Sequence, residues 1–588
     1  MEYKSENKIC QNCKQDFTIE PEDFNFYEKI KVPSPTFCPL CRAQRRLVFR
    51  NERKLFKVKD AFTGESIFST YPQESGKKII TREEWFGDDW DAMEYGQDYD
   101  FSSSFLKQFF ELEKQIPMYG LNAKMMSNSP YSANATNLKN CYLCFSSNNS
   151  QDCMYSSAID FSKDCVDNSH VNHSERSYEN FWLQNCYQCH FSIRSMESRN
   201  LWFCRGCVGC NDCFGSANLR KASYCIFNKQ YTKEEYKKEI KKLNLDTISG
   251  LKEAREKARA FWYTQPAKYH QGLKNLDCTG SYVTHSKNVN DSYLIRESEN
   301  LRYCQYLQVP ESKDCYDINN WGANTELGYE TMECGDNSYN NKFSRNCWPA
   351  CKNLEYCMHM FSSSDCFGCV GLKKKQYCIL NKQYTKEEYY DLVKKIKEHM
   401  DEMPYVDSQG LIYKYGEFFP IEFSQLGYNN TVAIQHFPLT EKEAKEKGYL
   451  WINIPHGEYK ITIKVGKLPD SIFDVTDNIL KEVIECENCK KAYKILENEL
   501  IFLKKEKLPL PTMCYDCRYE RRISDRLKIQ LYKRYCMCNG EKDVTGIYKN
   551  TVKHIHGDEP CGEEFKTGYP PEHPEIVYCE KCYQQEVY

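Results

Sequence analysis

Cysteine is the residue whose spacing says most about chemistry in this chain. Cys10, Cys13, Cys38 and Cys41 form a C-x2-C-x24-C-x2-C array, and Cys486, Cys489, Cys514 and Cys517 repeat it at the same spacing. Two knuckles, each offering two thiolates from a tight turn, close a tetrahedron around Zn²⁺ and leave no open coordination position. Such a site folds a domain, coupling ~10 kcal/mol or more of binding free energy to order. A third set comprises Cys536, Cys538, Cys561, Cys579 and Cys582, with His554 and His556 nearby. It offers five thiols for four positions. Either Cys536 and Cys538 both ligate, or one of them joins Cys561 beside the C-x2-C of Cys579 and Cys582. The stretch CRGCVGCNDC sets Cys204, Cys207, Cys210 and Cys213 three residues apart and raises a second chemistry, an iron–sulfur cluster. It lacks the C-x3-C-P close of the bacterial cluster motif.

The two terminal arrays share more than ligands. At the same offset, Arg42, Arg45, Arg46 and Arg50 match Arg518, Arg521, Arg522 and Arg526. On a helix these spacings place the guanidinium groups along one face. Residues 1–59 hold 13 basic against 8 acidic side chains, and residues 486–534 hold 13 against 7. Contact with a phosphate backbone is one reading of this cationic face. The other is a solvated face paired with acids, for which residues 83–100, with eight carboxylates, are a source.

The segment CQNCKQDFTIEPEDFNFYEKIKVPSPTFCPLCRAQRR resembles the probable zinc-ribbon family, which has a C-x2-C, a following aromatic, an FY-x-K element and a P-x-x-C-x-x-CR close. The likeness covers about 45 residues at each end, and the whole chain resembles multi-ribbon, cysteine-rich proteins of uncultivated bacteria. It implies metal ligation by Cys10, Cys13, Cys38 and Cys41, and is silent on activity. The C-terminal copy departs from the pattern, with Tyr493 and LENELIFLKKE where FYEK should stand. A partner shared by both ribbons is therefore in doubt.

The elements that must position these groups come from the middle of the chain, where 21 of the 34 cysteines lie. From Asn140 the side chains align every twelve residues. One column reads Cys141, Cys153, Cys165, Ser177, Cys189, Leu201, Cys213, Cys225; others run through Cys144, Ser156 and Asn168, through Ser150, Ser162 and Ser174, and through Ile159, Val171 and Leu183. Stacking of like residues at a short period predicts a β-solenoid with a narrow interior. Cys204, Cys207, Cys210 and Cys213 each fall in a different column, so packing accounts for all four thiols. A less regular block starts lines near Cys278, Val289, Leu301, Cys315, Leu327, Tyr339, Leu354, Cys366 and Cys378, with slips around QVPES and WPACKN. Both blocks end alike, in YCIFNKQYTKEEY and YCILNKQYTKEEY, where Thr232 with Glu235 and Thr385 with Glu388 predict capping boxes for helices that cover the last coil.

The expected fold is mainly β: two tandem solenoid blocks of a 12-residue repeat with capping helices, flanked by small zinc ribbons. The expected units are a ribbon with a basic helix (1–60), a connector with one helix capped by Ser104 (61–134), solenoid blocks with their capping helices (135–270 and 271–403), a small α/β segment (404–480), the second ribbon (481–533) and a third zinc module (534–588). No apolar run approaches a membrane span, and a cytoplasmic location follows by default. Net charge is −3, so attraction to nucleic acid must come from local patches. P-loop, GxGxxG, GxSxG and HExxH motifs are absent. The expected function is a zinc-binding scaffold that meets nucleic acid or protein through its ribbon helices and solenoid surfaces, more an interaction protein than an enzyme. Two alternatives stand beside it: a carbohydrate-acting solenoid enzyme with its site at the block-two slips, and an iron–sulfur redox protein. Asp152, Asp164 and Asp212 share a column, and their place before each strand favours turn roles.

Overall fold

The computed structural model describes residues 3–588 apart from 324, 455–458 and 541–547. Its centre is a pair of β-solenoid blocks. In the first, parallel pairing joins residues twelve apart, as in Ser157 with Ser169, Phe181 with Ser169, and Phe181 with Ile193, so one coil holds one 12-residue unit. The backbone explains how so short a unit closes. From Asn134 to Phe227 every third residue has a left-handed φ, among them Asn137, Asn140, Leu143, Ser146 and Asn149. Each coil is therefore four-sided, with three residues to a side. The residue after each bend points inward: Cys141, Cys144, Ser147 and Ser150 fill one coil, none more than 3% exposed.

Bends this sharp turn backbone groups away from the neighbouring coils, and buried backbone groups need partners. The inward side chains provide them. Ser150 Oγ donates to the carbonyl of Asn148 (2.9 Å) and accepts the Ser162 N–H (3.2 Å); Ser162 in turn accepts from Ser174 N–H at 3.3 Å. Thiols act as donors in the same way, Cys141 to Lys139 O at 3.4 Å and Cys165 to Lys163 O at 3.3 Å. This is why the columns hold Ser, Cys and Asn. Outside, asparagines on the bends form ladders, with Asn128 donating to Asn140 and Asn140 to Asp152. Asp152, Asp164 and Asp212 all sit on left-handed bends, the turn role expected of them.

The second block is built alike with irregular coils. Gly280 pairs with Ser292 twelve residues on, Glu299 with Lys313 fourteen on across QVPES, and Lys342 with Glu355 thirteen on across WPACKN. The added residues shift the register of the lines that start near Leu327 and Tyr339, so that Leu327 lies on a bend and the exposed Tyr339 pairs with Lys352. Each block stops at a hairpin, where Ser223–Ile226 pairs antiparallel with Lys229–Gln230 and Gln376–Ile379 with Lys382–Gln383. Helices Lys233–Lys241 and Lys386–Glu402 follow, each opened by its expected capping box, and Tyr236 and Tyr389 pack on Tyr224 and Tyr377 of the final coils. A helix not anticipated, Ile248–Tyr263, crosses block one, where Trp262 donates to Phe203 O.

The blocks lie against each other, with Tyr282 edge-on to Phe181 and Trp182 and with His170 beside Tyr306. The connector helix is Phe105–Gln115, but Ser104 makes no side-chain cap; the helix is held by Phe105 against Tyr356 and Phe367. Residues 404–480 contain short helices, 3-10 turns and two-residue strands, and bury Tyr413, Phe418, Phe419 and Tyr428. No described helix is long and apolar enough to cross a membrane.

Candidate metal centres

The ribbons bring their four cysteines together as the spacing predicts. In the first, the hairpin Glu6–Ile9/Asp16–Ile19 carries one knuckle and the N-terminus of helix Pro39–Leu47 carries the other. Cys10, Cys13, Cys38 and Cys41 place their sulfurs within 4.8 Å of one another, and so do Cys486, Cys489, Cys514 and Cys517. Cys13 and Cys38 are 3.8 Å apart, and Cys489 and Cys514 are 3.7 Å apart. Zn–S bonds of about 2.3 Å in a tetrahedron give edges of about 3.8 Å, so the residues fit the ion. The surroundings repeat as well. Asn12 donates to Cys41 Sγ and Asn488 to Cys517 Sγ, while Cys38 N–H and Cys514 N–H point at Cys10 and Cys486. Burial alone would raise the Cys486 thiol, but the N–H groups of Cys489 and Cys514 lower it to about 7.

The third module holds two donor sets. Cys536, Cys561, Cys579 and Cys582 form one group within 4.8 Å, and Cys538, His554, His556 and Cys582 form another. Of the two pairings open in the sequence, Cys536 is therefore the thiol that joins Cys561. The histidines, adjacent in sequence to no knuckle, are brought in by the chain between Cys538 and Cys561.

Cys204, Cys207, Cys210 and Cys213 do not gather: among the described residues, the groups of close ligand atoms are those at the chain termini. All four are fully buried, each on its own side of the coil, and Cys204 donates to the carbonyls of Trp202 and Cys213. Elsewhere in block one burial pushes the Cys144, Cys153 and Cys189 thiols well above the free-thiol value, whereas hydrogen bonds with Cys207 and Cys213 hold Cys210 down at about 3. These are packed thiols.

The ribbon arginines require a correction. They lie along one helix face as expected, but that face is not open to solvent: Arg42, Arg45, Arg46, Arg518 and Arg522 are at most 4% exposed. Most of their acids come from the solenoid, with Glu52, Glu417 and Glu499 added from outside it, and none comes from residues 83–100, where Asp98 and Asp91 instead meet Lys382 and Lys375. Arg42 grips Asp317 through Nε (3.1 Å) and Nη2 (2.9 Å), and Arg46 Nη1 reaches the same carboxylate at 3.0 Å. In the second ribbon, Arg518 Nε and Arg522 Nη1 each lie 2.8 Å from Asp167. Both aspartates are fully buried residues on left-handed bends. Around them, Arg45 pairs with Glu330 and Glu417, Arg50 with Glu52 and Glu333, and Arg521 with Glu179 at 2.6 Å; Arg526 meets Tyr306 and Gln435. Burial would lower the pKa of Arg42 and Arg518, but Asp317 and Asp167 outweigh it and hold both groups charged. The same helix, displaced by 476 residues, thus enters the same kind of socket twice.

Beside these sockets the ribbons diverge. Phe26 stacks on Tyr316 at 3.9 Å, whereas the second ribbon's helix Glu497–Glu506 sets Phe502 against Tyr178 and Glu499 against Arg518. That is what replaced the FYEK element. The sequence reading missed the acidic sockets. Their signal was the shared run Cys165-Val166-Asp167 and Cys315-Tyr316-Asp317, which sets an acid two residues after an inward thiol in each block.

Block two carries an open groove of about 630 Å³ lined by Glu297, Glu299 and Glu311 together with Lys274, Lys287 and Lys313. Its acids come from successive coils, but they are matched by lysines, and no Phe, Tyr or Trp among the described residues lines it. No family model matches the chain, and no curated protein does.

Proposed function

We propose that this chain is a zinc-stapled scaffold that presents two rigid solenoid blocks to a protein partner. The observation that carries the reading is the crossed docking of the ribbons, the N-terminal one seated on block two through Asp317 and the C-terminal one on block one through Asp167. A closed site of four thiolates gives a ribbon its shape, and that shape delivers the arginines to sockets in which an unpaired charge would be costly. Zinc in this arrangement does no chemistry on a substrate. It fixes the geometry of the surface between the clamps. A protein partner is favoured over nucleic acid because the arginines that suggested phosphate contacts are enclosed by carboxylates, leaving a surface on a chain of net charge −3.

The test is titration of the zinc-replete chain with short single- and double-stranded nucleic acids at low and moderate salt. The expected result is weak binding with little salt dependence, unchanged when Arg521, the most accessible of the ribbon arginines on its helix, is replaced by alanine. Tight binding that weakens steeply with salt would replace this reading with a nucleic-acid one.

A further inference from the structure

The C-terminal module gathers more donors than one ion can use. Cys536, Cys561, Cys579 and Cys582 already make a complete tetrahedral set, and Cys538, His554 and His556 then stand beside it with Cys582 as their fourth neighbour. Seven side chains, one of them counted twice, give eight donor positions, which is the number that two four-coordinate ions require.

The distances support two filled sites. Cys561 Sγ is 3.9 Å from Cys579 Sγ, close to the edge of a sulfur tetrahedron. In the second set, His556 Nε2 lies 3.4 Å from Cys538 Sγ and 3.3 Å from Cys582 Sγ, and His554 Nδ1 lies 3.1 Å from Cys538 Sγ. A tetrahedral ion with Zn–N of about 2.05 Å and Zn–S of about 2.3 Å sets N···S edges of about 3.6 Å, near these values.

The far sides of both rings point the same way. His554 Nε2 is 2.9 Å from Glu586 Oε2, and Glu586 is itself fixed by the N–H and hydroxyl of Thr551, each at 2.7 Å. His556 Nδ1 is 2.7 Å from the carbonyl of Glu559. Each ring therefore donates its far N–H to an oxygen and turns an unprotonated nitrogen toward the sulfurs, the arrangement by which ligating histidines are oriented. Cys538 is fully buried and receives a further N–H from Asn550 at 3.1 Å, which stabilises a thiolate. With one zinc in the four-thiol set, two ring lone pairs would face a buried thiolate with no cation between them.

We propose that this module holds two zinc ions bridged by Cys582 Sγ, one completed by Cys536, Cys561 and Cys579 and the other by Cys538, His554 and His556. Five thiolates against two divalent ions leave a single net negative charge. The proposal rests on the terminal cysteines being zinc ligands, and the test separates the two claims.

Elemental analysis and native mass spectrometry of the full chain are expected to give four zinc ions, one in each ribbon and two in this module. Three would overturn the bridged pair while leaving the ribbon reading intact, and none would overturn both. In the full chain loaded with ¹¹³Cd, two of the four resonances are expected to couple to each other through the shared sulfur; four uncoupled resonances would contradict the bridge. The paired substitution His554→Ala and His556→Ala is expected to remove one zinc and the cadmium coupling together, and retention of all four ions would refute the assignment.

Discussion

At the scale of single residues, the molecule places chemically similar side chains in opposite roles by where it buries them. A thiol that faces three others at a knuckle is placed where it could hold a metal ion, while a thiol that faces the axis of the solenoid is a small hydrogen-bond donor that Ser or Asn replaces in the next coil. The sequence arrays alone distinguished these two groups, because a ligand set needs a knuckle pair and a packing column needs only a period. Histidine gives a measurable consequence. His270 is buried at the start of block two, and burial, aided by Lys268, lowers its pKa to about 4. It is neutral in the folded chain down to that value, whereas the unfolded chain takes up the proton below about 6.5. Unfolding therefore gains protons as pH falls, and His270 makes the fold less stable between pH 6.5 and about 4. Denaturant titrations at pH 7 and pH 5 are expected to show a smaller loss of stability for His270→Gln than for the parent chain, both zinc-replete.

At the scale of elements, the determining feature is the bend at every third residue. The 12-residue period was legible because whole columns matched, but the three-residue side was not, since only CRGCVGCNDC displays it with a single residue type. A second trace of it lies in what is missing: from Asn134 to Phe227 the bend positions carry Asn, Asp, Gly, aromatic and long side chains, with Ser146 and Ala158, and no Val, Ile or Thr, the residues least able to adopt a left-handed φ. Ala158 is such a bend. Ala158→Val is expected to cost about 1–3 kcal/mol in equilibrium denaturation, and Ala158→Gly to cost nothing or to stabilise. The ribbon helices supply the other element-scale prediction. Their arginine spacing was legible, but the identity of the partner was not, because Asp317 and Asp167 lie hundreds of residues away and are fixed only once the coils are built. Asp317→Asn and Asp167→Asn each leave two guanidiniums short of a counter-charge in a buried socket, with an expected cost of about 3–5 kcal/mol. The check is denaturation monitored separately for each ribbon. A loss under 1 kcal/mol at both positions would mean that the sockets do not hold the ribbons in place.

At the scale of the whole molecule, the chain closes on itself in crossed order, its first ribbon on the later block and its last ribbon on the earlier one. Lys54 of the first ribbon's flank also reaches Asp516 of the second at 3.0 Å, so the two clamps touch. The strand Ile576–Tyr578 of the C-terminal module pairs with Pro266–Lys268 at the junction between the blocks and ties the third metal module to the same frame. None of this long-range order was visible in local patterns, which gave the pieces and their order along the chain but not who docks on whom.

The central claim is that metal at the ends holds the solenoid blocks together. The most direct measurement is a chelator titration of the full chain in which released metal and the radius of gyration from small-angle scattering are followed together. The metal released is expected to be zinc, its loss from the ribbons to expand the particle, and the return of zinc to restore the compact size. Complete removal of zinc with no change in size, or the release of iron with sulfide, would contradict the claim.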